Sequence, residues 1–224
     1  MTSSEEQEVA HANALLLDEC LAKGGRDFPR ASQDWESIPN LPDRRYGVWS
    51  NADAKSNGYE FPAPPGSAEL TAQEDALSES WWSAYQACQS DLNLFQPLRP
   101  NGSSQNSPVD QGMRESFEAL KASVEFASAL KEWTSCVTSK GLTPNPADNA
   151  MVPAFPPAGE EQLRVAAIDV ECKESLNSVQ PLADFEARHQ MAFIARHESE
   201  LTEHRAQVDK VLAEAREVLA TRGG

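Results

Sequence analysis

The sequence predicts an all-α, bundle-like protein of five or six helices, joined by long proline-rich loops and stapled by two disulfides. Three observations carry that prediction. No segment sustains the period-two alternation with β-branched residues that a strand requires. Apolar residues recur instead at helical spacing between glycine and proline breaks. The four cysteines fall in two copies of one frame: Cys20 and Cys136 close helical stretches ahead of Gly24 and Gly141, while Cys88 and Cys172 follow proline-broken loops and precede Leu92 and Leu176.

The elements follow in order. Residues 4–23 read as a helix, with acidic residues after Ser3 and Ser4, with Val9, Leu16 and Cys20 at helical spacing, and with Gly24 and Gly25 as its stop. Residues 26–67 are irregular, broken by Pro29, Pro39, Pro42, Pro62, Pro64 and Pro65; a loop this long must be pinned by its aromatics and by a short helical turn near 51–57. Thr71 and Glu74 match a capping box opening a helix that runs to about Phe95 and carries Trp81, Trp82, Tyr85 and Cys88. Residues 96–107 are a polar linker.

After Pro108 a long helical pattern runs to Lys140, with Met113, Phe117, Leu120, Val124, Leu130 and Trp133 on one stripe and Gly112 as a mark of a late start. A second proline-rich loop covers 142–158, and 159–176 read as a shorter helix with Leu163, Ala166, Ala167, Val170 and Cys172. The last segment, 182–221, carries a coiled-coil pattern: Ile194, Leu201, Val208 and Ala215 recur every seven residues, as do His197, His204, Val211 and Val218. A helix of roughly 40 residues is about 60 Å long. It either packs along the bundle or reaches a partner. Residues 1–95 thus form one helix-loop-helix unit and 108–224 a second with the long C-terminal helix, within one compact domain.

Composition narrows the function classes. The 224 residues include 40% hydrophobic and 24% charged side chains, ordinary for a folded chain. A formal charge of −16 without any cluster of lysine and arginine argues against nucleic acid and anionic membrane as partners. No stretch approaches the roughly 18 apolar residues of a membrane span. The acidic start, with Glu5, Glu6 and Glu8, lacks the basic and apolar regions of a signal peptide and taken alone indicates the cytosol. The regular cysteine frame indicates the opposite, because disulfides persist in oxidising compartments. The expectation is an extracytoplasmic chain, secreted or envelope-anchored.

A duplicated unit most simply carries one bridge per copy, Cys20 with Cys88 and Cys136 with Cys172, although four cysteines allow three pairings. Each bridge would restrict the unfolded chain by roughly 4 kcal/mol. A redox or zinc role is the alternative, without a CxxC to support it.

His197, Glu200 and His204 share one face of the predicted last helix, with His189 and Phe193 extending it. Ligands at i and i+7 lie about 10 Å apart along the axis, too far for one zinc ion. Glu200 with His204 is at most half a site, and the plainer reading is that His197 and His204 belong to a packed seam whose protonation would make it pH-sensitive. In the first loop, Arg44, Arg45, Tyr46, Gly47, Val48 and Trp49, followed by Tyr59 and Phe61, gather aromatics with two scarce positive charges. Exposed, Arg45, Tyr46, Trp49 and Tyr59 form a recognition surface for peptides or glycans; buried, they anchor the loop. Trp81, Trp82 and Trp133 are read as core. No GxSxG, HExxH, P-loop or dinucleotide pattern occurs, and no catalytic, cofactor or metal residue is assigned.

A resemblance spans most of the chain. Cys20 through Gly25 with Arg45, Tyr46 and Gly47, then Ala87 and Cys88, Trp133 through Cys136 with Gly141, and Ala167 through Lys173 follow in this order. This pattern resembles uncharacterised exported or lipoprotein-like helical proteins of actinobacteria. The resemblance implies a helical, extracytoplasmic envelope protein. Its start carries neither a signal peptide nor a lipobox cysteine.

The functional expectation is a non-enzymatic extracytoplasmic binding or accessory protein, meeting a protein, peptide or envelope component through the C-terminal helix or the aromatic loop. An envelope hydrolase built from scattered residues is the alternative, and a cytosolic helical protein with reduced thiols is the third.

Overall fold

A computed structural model describes residues 1–95, 107–145 and 151–222. The fold is all-α, 69% helical, without a strand among the described residues. Nine α-helices follow one another there: α1 (Ser3–Ala22), α2 (Asn51–Asn57), α3 (Ser67–Asp75), α4 (Glu79–Asp91), α5 (Pro108–Lys121), α6 (Val124–Ser139), α7 (Glu160–Ser175), α8 (Val179–Arg196) and α9 (Glu198–Arg222). A 3-10 turn, Pro29–Ser32, lies between α1 and α2. The linker expected at 96–107 falls outside the described residues except for Ser107.

The helix count exceeds five or six because local caps cut the long segments. Thr71 and Glu74 do not open a helix: Thr71 sits within α3, its hydroxyl donating to the Ser67 carbonyl, and Glu74 pairs with Arg30. The helix start is Ser78, whose hydroxyl accepts from the Trp81 amide. Ser123 accepts from the Phe126 amide and divides the next stretch into α5 and α6. The 182–221 segment is likewise two helices, α8 beginning earlier at Val179 and ending at His197, where φ −118° and ψ 24° leave helical geometry. At Ser78 and Ser123 the hydroxyl supplies an acceptor for an otherwise orphan backbone N–H, which lowers the cost of the break.

The described residues pack as two compact units that interleave in sequence. The first takes Met1–Asn40, Ala63–Ser107 and Ser199–Gly224; the second takes Leu41–Pro62 and Pro108–Glu198.

In the first unit α1 is buried on two sides. Ala14, Leu17 and Leu21 pack with Phe28, Trp81 and Cys88, and the Cys20–Cys88 disulfide fastens α1 to α4. Val9 and Ala12 pack with Val208, Leu212 and Ala215 of α9. Val208 and Ala215 are the heptad positions expected inside; Leu212 completes the face. Ion pairs Arg205–Glu5, Arg216–Glu8 and Arg222–Glu19 advance together along both helices, so α9 runs parallel to α1. Asn13 and the Phe95 backbone exchange two hydrogen bonds of 2.8 Å, tying the chain after α4 to α1.

The second unit centres on Trp133, Leu120, Phe126, Val137, Met151, Leu182 and Tyr46. The Cys136–Cys172 disulfide joins α6 to α7. Gly112 is not a helix start but a close approach within α5: a Cβ there would lie 2.7 Å from Phe193 Cδ1 of α8.

Candidate functional site

The loop from Leu41 to Pro62 sends several polar side chains into hydrogen bonds with the rest of the second unit. Arg44 grips Asp53 with two hydrogen bonds of 3.1 and 3.0 Å and donates to the carbonyls of Tyr59 and Glu60 at 2.6 and 2.7 Å. One guanidinium thereby closes the loop on itself around α2. Ser50 caps α2 by accepting from the Asp53 amide, which orients that carboxylate.

Arg45 reaches α8, donating to Glu186 at 2.6 Å and to the Met113 carbonyl at 2.6 Å, with its guanidinium over the Phe117 ring. The Tyr46 hydroxyl donates to the same carboxylate. Tyr46 is 5% exposed. Burial, then the Glu186 carboxylate, push its phenol well above the ordinary tyrosine range.

Tyr59 completes the anchor from the other end of the loop. Its amide donates to Gln162 Oε1 at 3.0 Å, its ring stacks on Phe155, and its hydroxyl donates to Asp169 Oδ2 at 2.9 Å. Gly58 (φ +58°) is required here, because a Cβ would lie 2.6 Å from that same Gln162 oxygen. Asp169 also accepts from Trp133 Nε1 at 2.7 Å and from Lys173 Nζ at 2.9 Å. Lys173 donates further to the Val48 carbonyl at 2.7 Å. Burial pushes the Asp169 carboxyl up, against the pull of Lys173, Trp133 and Tyr59. The cluster holds Val48 and Tyr59 against α7.

Of the four candidate recognition residues, Arg45, Tyr46 and Tyr59 therefore take the anchoring role. Trp49 is different. It is 40% exposed, and its indole N–H is spent on the Asp43 carbonyl at 2.8 Å, which fixes the ring. It borders an open depression of about 410 Å³ with Asn51, Glu174, Asn177 and Gln180. A second depression, about 360 Å³, lies in the first unit between the Pro29–Ser32 turn and the start of α3.

The candidate histidines fall on two helices. His197 caps α8 with its ring stacked on Phe193 at 4.1 Å, and His189 stacks on Phe185. His204 belongs to α9 in the first unit. Glu200 and His204 both lie on α9, and His197 is the residue that closes α8. Among the described residues no group of three or more His, Cys, Asp or Glu side chains is placed to hold a metal ion. Trp81 and Trp133 are core, whereas Trp82 is exposed.

Sequence reasoning missed Glu186 and gave Asp169 and Lys173 no role. A signal existed for the latter: spaced i, i+4, they fall among Val165, Ala166, Val170 and Cys172, where only a paired charge is tolerated. No protein-family model, curated protein or solved structure matches this chain, and the geometry above is what bears on its function.

Proposed function

We propose that this chain is a non-enzymatic extracytoplasmic binding or accessory protein. The observation that carries the reading is that all four cysteines are paired, one disulfide fastening each compact unit. Long-lived disulfides belong to oxidising compartments. The acidic surface, with formal charge −16, suits a chain that avoids phosphate backbones and anionic lipid. No helix among the described residues is long and apolar enough to cross a membrane. The non-enzymatic part is supported by the buried ionisable groups, whose hydrogen bonds go to neighbouring protein groups: Asp169 accepts from Lys173, Trp133 and Tyr59, Lys173 also donates to the Val48 carbonyl, and Glu186 accepts from Arg45 and Tyr46. The test is a thiol titration of denatured protein purified without reductant. No reactive thiol is expected; four would return the chain to a reducing compartment and overturn the reading.

A further inference from the structure

The exposed face of Trp49 is the feature that the anchoring role of its loop does not use. Its N–H is bound to the Asp43 carbonyl, so what the indole offers outward is apolar ring rather than a hydrogen-bond donor. Around it, Asn51, Asn177 and Gln180 each bring an amide, which both donates and accepts, and Glu174 brings a carboxylate. Asn51 Nδ2 donates to Glu174 Oε1 at 2.6 Å, tying the first residue of α2 to the end of α7 across the depression.

Asn177 is the informative residue. The α7 C-terminus ends in a Schellman motif, with the Asn177 amide on the Glu174 carbonyl and the Ser178 amide on the Lys173 carbonyl. Asn177 takes the left-handed position with φ +45°. Glycine is the default there, since it adopts positive φ without a Cβ penalty. The chain uses asparagine instead, and this residue borders the depression. Its side-chain amide has no hydrogen bond among the described residues, and it is exposed.

An apolar platform flanked by amides and one carboxylate matches a ligand with an apolar ring face and a rim of hydroxyl groups. The site lacks the chemistry for an anion: its one ammonium, Lys173, is 1% exposed and committed to Asp169 and the Val48 carbonyl. We infer that this depression is a saccharide-binding subsite, in which a neutral sugar ring stacks on Trp49 while Asn51, Asn177 and Gln180 exchange hydrogen bonds with its hydroxyls. This deepens the binding reading above and rests on it.

The experiment titrates the disulfide-bonded full chain with cellotriose, maltotriose, mannotriose and N-acetylchitotriose, following calorimetry and the Trp49 indole N–H resonance. Saturable binding of at least one trisaccharide is expected. Trp49→Ala should abolish it, and Asn177→Gly should weaken it at least about tenfold. Asn177→Gly preserves the helix cap, because glycine takes the left-handed position without a Cβ penalty, so its melting temperature should stay about level while affinity falls, which separates recognition from folding. Trp82→Ala, at an exposed tryptophan in the other unit, should leave binding unchanged. The assignment is overturned if no trisaccharide saturates, if binding survives Trp49→Ala, if Asn177→Gly binds as the parent does, or if Trp82→Ala abolishes it. Failure here with no reactive thiols leaves the extracytoplasmic reading standing, whereas four reactive thiols remove that reading whatever the sugars do.

Discussion

Lys173 Nζ lies 2.9 Å from Asp169 Oδ2, one helical turn away on α7, in a setting where the two side chains are 1% and 0% exposed. Such a pair contributes little net stability over an apolar pair of like volume, because both charges lose their water. Removing one partner is another matter, since the survivor is left charged and buried.

Lys173→Met should accordingly cost about 3–5 kcal/mol in urea unfolding, because Asp169 loses its cation and Val48 its donor. Combining Lys173→Met with Asp169→Leu should recover part of that loss. Trp133 Nε1 and the Tyr59 hydroxyl would still be stranded. A double variant no better than the single one would show that these two donors, rather than the ion pair, set the demand for Asp169.

The two disulfides should contribute comparably. Their sequence separations are 68 and 36 residues, which loop entropy converts to roughly 4 kcal/mol each, with under 1 kcal/mol between them. Cys20→Ala with Cys88→Ala and Cys136→Ala with Cys172→Ala, each followed by denaturant unfolding, test this. A cost confined to one pair would place the stabilisation in local packing, where Cys172 is wholly buried and Cys20 is not.

The class and the disulfide pairing were legible because both rest on local pattern: helical spacing, glycine stops and a repeated cysteine frame. The segmentation was not, since Ser78 and Ser123 are ordinary polar residues until a neighbouring amide needs an acceptor. The interleaving of the two units was also hidden. Residues Leu41–Pro62 join the second unit through Arg45–Glu186 and Tyr59–Asp169, contacts spanning more than a hundred residues. No periodicity records contacts of that range. Composition drew attention to the aromatic loop, but it could not tell that Arg45, Tyr46 and Tyr59 are engaged within the unit while Trp49 is exposed.

Gly112→Ala sets two effects against each other. Alanine favours a helix interior by about 1 kcal/mol over glycine. A Cβ at 112 would sit 2.7 Å from Phe193 Cδ1 and 2.9 Å from Cε1, forcing a ring off its place in a packed core. Overpacking of this kind costs about 1–3 kcal/mol, so the net change should be destabilising. Adding Phe193→Leu, which withdraws those ring atoms, should reverse the sign of the Gly112→Ala effect. A stabilising Gly112→Ala on its own would show that α5 and α8 part easily.

His11 offers a separate seat for pH sensitivity. Its imidazole stacks on Trp35 with ring centroids 5.2 Å apart, and burial lowers its pKa below the ordinary 6.5. The native state therefore binds fewer protons there than the unfolded chain does, and stability rises with pH. That contribution is fully present above about 6.5 and is lost as pH falls through that value towards the lower folded pKa. Denaturation midpoints measured from pH 8 to pH 5 should decline for the parent, and His11→Gln should flatten the slope. A second acidic limb should follow, because Glu5 is held down to about 2 by its hydrogen bond with Arg205 and by the Thr2 amide. Its sign is that of a depressed carboxylate, with stability present above about 4.5 and lost as pH falls towards 2. Glu5→Gln should remove that lower limb while leaving the His11 step in place, so the two substitutions separate the two titrations in one set of curves. Equal slopes in the parent and in His11→Gln between pH 8 and 5 would exclude His11 as the source.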